Sequence, residues 1–133
     1  MQFTRLLIRF QTKMSNQAQI IVGNSHTEGK TRRGWFMGYF VTPEDDPRAT
    51  SAVEVKWGTH TAGDSRQEWG VNHQATTLSI LISGRFRLQF PDREVVLAQE
   101  GDYALWLPGV PHGWLAEESS TVLTVRYPSV PET

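Results

Sequence analysis

Four histidines, His26, His60, His73 and His112, and no cysteine set the limits of the chemistry open to this 133-residue chain. Without thiols there is no disulfide, thiolate-bound zinc or cysteine nucleophile, so any metal would rest on His, Asp or Glu. Two groupings have spacings that matter. Glu54, Lys56 and His60 stand at alternate or fourth positions of Val53-Glu54-Val55-Lys56-Trp57-Gly58-Thr59-His60. On an extended strand those side chains share a face, where they could bind a polar molecule or pass a proton. The alternative is a solvated sheet face with a cross-strand ion pair worth under about 1 kcal/mol. The other grouping is His112, which follows Pro108-Gly109-Val110-Pro111 and is thereby set at the start of a strand. His26 lies among Asn, Ser, Thr and Glu and reads as a surface residue.

The elements that must carry these residues are short. Past residue 18, apolar runs alternate with turn formers: Ile20–Val22, Trp35–Val41, Ala52–Thr59, Thr76–Ser83, Phe86–Phe90, Glu94–Leu97, Tyr103–Leu107 and Thr121–Tyr127. Clusters such as Ser83-Gly84, Pro91-Asp92 and Glu100-Gly101-Asp102 separate them, and each supplies a backbone geometry that turns require. Val, Ile, Thr and aromatic residues dominate the runs, as a half-buried pleated surface favours. No segment holds apolar residues at helical spacing for three turns. Such a series of short strands predicts an all-β sandwich or barrel. In Thr77–Ser83, Leu78, Ile80 and Ile82 share one face and Thr77, Ser79 and Leu81 the other. The first face is expected to pack a core and the second to line a polar cavity. Leu78, Ile80, Leu88, Val96, Leu105 and Val125 are the expected core.

Bulk properties agree with one ordinary domain. Thirteen basic residues nearly balance fourteen acidic ones, so no net field draws the protein to nucleic acid or an anionic membrane. The opening MQFTRLLIRFQTKM has only a short apolar stretch broken by Arg9. A signal peptide or a span of about 20 apolar residues needs more, so the expectation is a cytoplasmic protein. Residues 1–18 read as an N-terminal extension, either an added strand or disordered, with Met14 an alternative start. Residues 19–133 read as the single domain.

The segment Gly101-Asp102-Tyr103-Ala104-Leu105-Trp106-Leu107-Pro108-Gly109-Val110-Pro111-His112 closely resembles the second motif of the cupin superfamily. Gly-Asp turns the chain in, a short strand crosses, and Pro-Gly turns it out to a histidine. The first cupin motif is present in degraded form. Counting back from Gly84, its glutamate position falls on Thr77 and its two histidine positions on Val71 and His73, whereas counting forward from Gly63 puts the histidine positions on Trp69 and Val71, so the loop between the strands is about two residues longer than usual. Leu78–Gly84 with the following Arg85-Phe86-Arg87-Leu88 matches the strand–Gly–strand hairpin. Together the two motifs cover residues 53–127.

The resemblance implies an all-β, double-stranded β-helix (a jelly-roll barrel) of the cupin type, with a pocket for a small molecule. Metal-dependent cupins generally use three histidines and a glutamate. Here the metal candidates are His73 and His112, with a third donor from His60, Glu54 or Glu68, and the ion one divalent Fe, Mn, Ni or Zn. Pocket lining is expected from Thr77, Ser79, Leu81, Trp106, Trp114 and Lys56. Two functional expectations follow. One is a metal-assisted oxygenase or isomerase acting on a small polar organic substrate; the other is a metal-free metabolite-binding or regulatory module. An epimerase of the sugar-nucleotide type would need a His–Asp or Lys pair, for which Lys56 and His60 are the hints. The expected partners are a small-molecule ligand and a second copy of the chain, a homodimer covering apolar surface from Trp35–Val41 and Leu78–Ile82.

Overall fold

A computed structural model describes residues 20–132, and the N-terminal extension lies outside them. Among the described residues eight strands form: β1 (Trp35–Met37), β2 (Glu54–His60), β3 (Thr76–Ser83), β4 (Phe86–Phe90), β5 (Arg93–Leu97), β6 (Tyr103–Trp106), β7 (Gly113–Ala116) and β8 (Ser120–Tyr127). Two antiparallel sheets result, a five-stranded one in the order β1-β2-β8-β3-β6 and a three-stranded one in the order β5-β4-β7. The expected all-β architecture is therefore present as two sheets rather than one closed ladder.

Most strand boundaries follow the apolar runs to within a residue or two. Two runs depart from this. Ile20–Val22 forms no strand, and Ile20 and Val22 are exposed. The Trp35–Val41 run pairs only over Trp35–Met37, because Gly38 (φ 153) and the turns after it leave the ladder. A single helical turn, α1 (Ser25–Glu28), was not expected. The Asn24 side chain caps it by accepting from Thr27 N–H at 2.9 Å, a local bond that needs no apolar periodicity. Strand β7 was also missed, since Gly113-Trp114-Leu115-Ala116 is too short and mixed to stand out. The β3–β4 turn needs Gly84, whose φ of 99° lies where a side chain is strained.

Leu81, Phe86, Leu88, Leu97, Trp106, Ala116 and Val122 form the core between the sheets. Of the six residues expected there, only Leu88 is fully buried. Leu78, Ile80, Val96 and Val125 are half-buried and Leu105 is 48% exposed. The registers explain the correction. Leu78 pairs with Leu105 and Val125, and Ile80 pairs with Tyr103 and Leu123, all on the outer face of the large sheet. Thr77, Ser79 and Leu81 are the buried ones, so the core and the cavity share one side of β3. Period-2 alternation says which residues share a face; it does not say which face looks inward.

The two outer faces differ sharply. On the three-stranded sheet, Arg87 bonds Glu94 (2.9 Å) and Glu117, and Arg85 reaches Glu117 at 2.7 Å. On the five-stranded sheet, Val55, Trp57, Leu78, Ile80, Leu105 and Leu123 present a surface without charge.

Candidate functional site

The inner face of the five-stranded sheet places the chemistry. Antiparallel register sets Glu54 against Arg126, Lys56 against Thr124, Gly58 against Val122 and His60 against Ser120. On the other side of β8, Thr77 lies against Arg126 and Ser79 against Thr124, and Thr77 is also paired with Trp106 of β6. A row of polar residues thus runs across four strands. Above it opens a cavity of about 860 Å³, continued inward by a small space of about 60 Å³ lined by Thr77, Ser79, Trp106 and Arg126.

The strongest single fact is what is left unbonded there. Among the described residues, Thr77 Oγ1, Trp106 Nε1 and Arg126 Nε are buried without a hydrogen-bond partner. All three line the small space. Two of these atoms can only donate, and the hydroxyl can donate as well. A buried polar atom left unpaired costs about 1–3 kcal/mol, and the three residues are cross-strand neighbours, Thr77 standing opposite both Trp106 and Arg126. Asn72 Oδ1, at the wall of the larger cavity, is unpaired as well.

The electrostatics point the same way. The larger cavity is lined by Lys30, Arg33, Lys56, Arg66 and Arg126 against one carboxylate, Glu132. Glu132 is engaged, its oxygens accepting from the backbone N–H groups of His73 (3.0 Å) and Gln74 (3.2 Å). Glu54 is buried and engaged too, accepting from Ser129 Oγ at 2.7 Å and from Arg126 at 3.3 Å. Among the described residues no carboxylate pairs with Lys56. Burial, then repulsion from Arg126, Arg33 and Arg66, lowers its pKa from 10.5 to about 8. Its ammonium and the Arg126 guanidinium both lie over the Trp35 ring, at 5.7 and 4.6 Å from the centroid.

His60 sits in an aromatic recess, 4.4 Å from the Trp114 centroid and 5.1 Å from that of Phe86. Burial there, reinforced by Lys56, lowers its pKa to about 4, so it is neutral at physiological pH. Gly58 lies between Lys56 and His60 on the same face. A Cβ at Gly58 would stand 3.0 Å from His60 Nε2 and 3.4 Å from Lys56 Cε. The missing side chain is what lets those two groups fold in over the strand. His112 is buried beside Trp106, and its Nδ1 lies 3.1 Å from the Val110 carbonyl. Nδ1 therefore carries the proton and Nε2 is an acceptor. Burial also lowers the His112 pKa.

Of the expected lining residues, Lys56, Thr77, Ser79, Trp106 and Trp114 border the cavity; Leu81 is buried in the apolar core instead. The expected convergence of His73 with His112 is not found. His73 is exposed and outside the cavity lining, because Glu132 holds its backbone at the surface. Glu68 is exposed, contributing only a carbonyl to Arg66 Nε at 2.8 Å. The residues that the sequence underrated are Arg126, Arg66 and Trp35. Arg126 shares its face with Val122 and Thr124, and nothing in that alternation shows that the face meets Glu54. Arg66 belongs to the loop after β2, whose position is set by long-range bonds such as Arg66 N–H to the Trp114 carbonyl at 3.1 Å.

The chain matches no protein-family model and no curated protein. Solved structures are similar in fold. KdgF from Halomonas sp. aligns with a TM-score of 0.56 at 17% identity, over 61% of this chain and 74% of that one. A cupin superfamily protein from Desulfitobacterium hafniense aligns with a TM-score of 0.54 at 17% identity, over 59% and 69%. The fold is that of the cupins. A Cupin 2 conserved barrel domain protein from Salinispora arenicola is 23% identical over 61% of this chain and 67% of that one, with a TM-score of 0.51.

Metal-dependent cupins raise the question of whether this donor set fits a metal, and it does not. The four motif positions carry Val71, His73, Thr77 and His112, which are an alkyl group, an exposed imidazole, a neutral hydroxyl and one buried imidazole. Catalytic metals usually take three protein ligands. Among the described residues no three His, Asp or Glu side chains cluster as a metal would need.

Proposed function

We propose that this cupin binds a small organic anion, a carboxylate or phosphate compound, in the cavity between its sheets without a resident metal. The two sheets are taken as halves of a jelly roll whose mouth admits the ligand. The observation that carries the reading is the buried trio of Thr77 Oγ1, Trp106 Nε1 and Arg126 Nε without partners beneath a cavity of basic residues. A carboxylate or phosphate entering this space supplies the acceptor oxygens that the three lack, and charge-assisted hydrogen bonds of that kind are roughly twice as strong as neutral ones. Lys56 and Arg66 add unbalanced positive charge, which also speeds capture. Of the two expectations from sequence, this favours the metal-free metabolite-binding module over the metal-assisted oxygenase or isomerase, since the cavity offers donors for an anion and too few ligands for a metal.

Calorimetry with lactate, malonate and glycerol phosphate, with glycerol as the neutral control, tests the reading. The anions are expected to bind and the polyol not, with affinity falling as salt rises. Trp106→Phe keeps the ring bulk and removes one donor; it is expected to weaken anion binding about tenfold to a hundredfold, the value of one hydrogen bond to a charged group. Equal binding of glycerol and glycerol phosphate would overturn the proposal.

A further inference from the structure

The geometry points to Lys56 as a nucleophilic amine that forms an imine with the carbonyl of a small 2-oxo acid held in the same cavity. This rests on the anion-binding reading and extends it to a covalent step. Lys56 lies on the inner face one register step from Arg126, with Thr124 as its direct cross-strand neighbour. Diagonal cross-strand neighbours are about 7–8 Å apart, within reach of long side chains. Both cations lie over Trp35. A carboxylate resting on Arg126, Thr77 and Trp106 would therefore hold an adjacent carbonyl carbon near the Lys56 amine. In a 2-oxo acid those two carbons are bonded directly.

Lys56 is free for this work. No described residue forms a salt bridge or hydrogen bond with it, while the nearby Glu54 and Glu132 are committed elsewhere. Desolvation and neighbouring cations are the two influences that turn a lysine into a nucleophile at neutral pH, and both act here. With its pKa near 8, roughly a tenth of the amine is unprotonated at pH 7, against well under about 0.1% for an ordinary lysine.

The step balances without a co-reactant. The amine lone pair attacks the carbonyl carbon and the C=O π pair moves to oxygen, which takes a proton to give a carbinolamine. Nitrogen gives up one proton in that exchange and its second as the hydroxyl, taking a further proton, leaves as water, so that a C=N bond remains. Amine plus carbonyl gives imine plus water. His60, neutral and folded in beside Lys56 over Gly58, is placed to carry these protons. The buried His112 also lines the cavity, with Nε2 free to accept.

The lysines are Lys13, Lys30 and Lys56, and the chain's α-amine, ordinarily half-protonated at about pH 7.7–8.0, is a second amine that labels readily, so adducts on it are assigned separately. The full chain is incubated at pH 7 with pyruvate and sodium cyanoborohydride, and reduced adducts are located by peptide mass mapping. Lactate, which has the carboxylate and no carbonyl, serves as competitor, and binding of both acids is measured by calorimetry without reductant. The expected result is a single lysine adduct, on Lys56, formed roughly a few hundredfold faster than on a free model lysine treated in parallel, in line with its larger unprotonated fraction. Excess lactate should suppress it, and Lys56→Arg, which keeps the charge, should abolish it. If both acids bind and no adduct forms, or adducts spread evenly over the lysines, the imine proposal falls and the anion reading stands. If neither acid binds, both fall.

Discussion

Replacing Lys56 by methionine should make the protein more stable at neutral pH, an unusual outcome for a change in a polar cavity. Lys56 is largely buried, faces Arg126, Arg33 and Arg66, and titrates near pH 8 instead of 10.5. Each pKa unit corresponds to 1.36 kcal/mol, so the charged amine costs the folded state about 3 kcal/mol. The sign follows from proton counting. Between pH 8 and 10.5 the unfolded chain holds more protons on this group than the folded one, so stability rises with pH across that window. Below pH 8 both states are charged and the full penalty applies. The methionine variant removes the group, so at pH 7 it should exceed the natural protein by about 3 kcal/mol, narrowing to about 1–1.5 kcal/mol at pH 9.5. The lost ammonium–Trp35 contact offsets about 0.5–1 kcal/mol at most. Urea unfolding followed by tryptophan fluorescence at the two pH values measures both numbers. A variant less stable at pH 7, or a gap that does not change with pH, would refute the idea that the amine is held desolvated among cations.

His60, neutral in its aromatic recess, titrates near pH 4 instead of 6.5. Here too the unfolded state binds the proton more readily, so stability is lost as pH falls from about 6.5 to 4. Allowing for partial solvent screening, His60→Gln should flatten that acid limb by about 1–2 kcal/mol in urea titrations. Glu54→Gln leaves the Arg126 charge without its partner, and since Arg126 retains 21% side-chain exposure the expected loss is about 3 kcal/mol, at the lower end for a buried pair; no change in the urea midpoint would show that the pair is solvated. The chain is expected to form a homodimer through the uncharged outer face of β2, β8, β3 and β6, since a surface without charge can meet its own copy while the ion-paired face of the other sheet stays in water. Sedimentation at micromolar concentration checks this, with Ile80→Lys expected to give monomer and a monomeric natural protein ruling the interface out.

Strand punctuation and local turn chemistry were legible without a structure. Thr76–Ser83 and Phe86–Phe90 form strands with the boundaries their composition predicts, because Gly84 and Pro91-Asp92 end them through backbone geometry that any neighbour must accept. The Gly101–His112 motif likewise places His112 just before β7, buried at the cavity. Alternation also grouped Glu54 with Lys56 and Thr77 with Ser79 and Leu81. What alternation lacks is a sense of inside and outside: β3 has an apolar face and a mixed face, and only its partners decide that the mixed one is buried. Arg126 took its role from register alone, since it matters through Glu54, 72 positions away in the chain, and through Thr77 on the opposite neighbouring strand. His73 shows the converse. Its spacing suited a ligand, yet a contact with Glu132, 59 positions away, holds it at the surface. Local spacing determined the strands and which side chains share a face, while the choice of face and the meeting of distant charges depended on long-range pairing, which no short window of sequence contains.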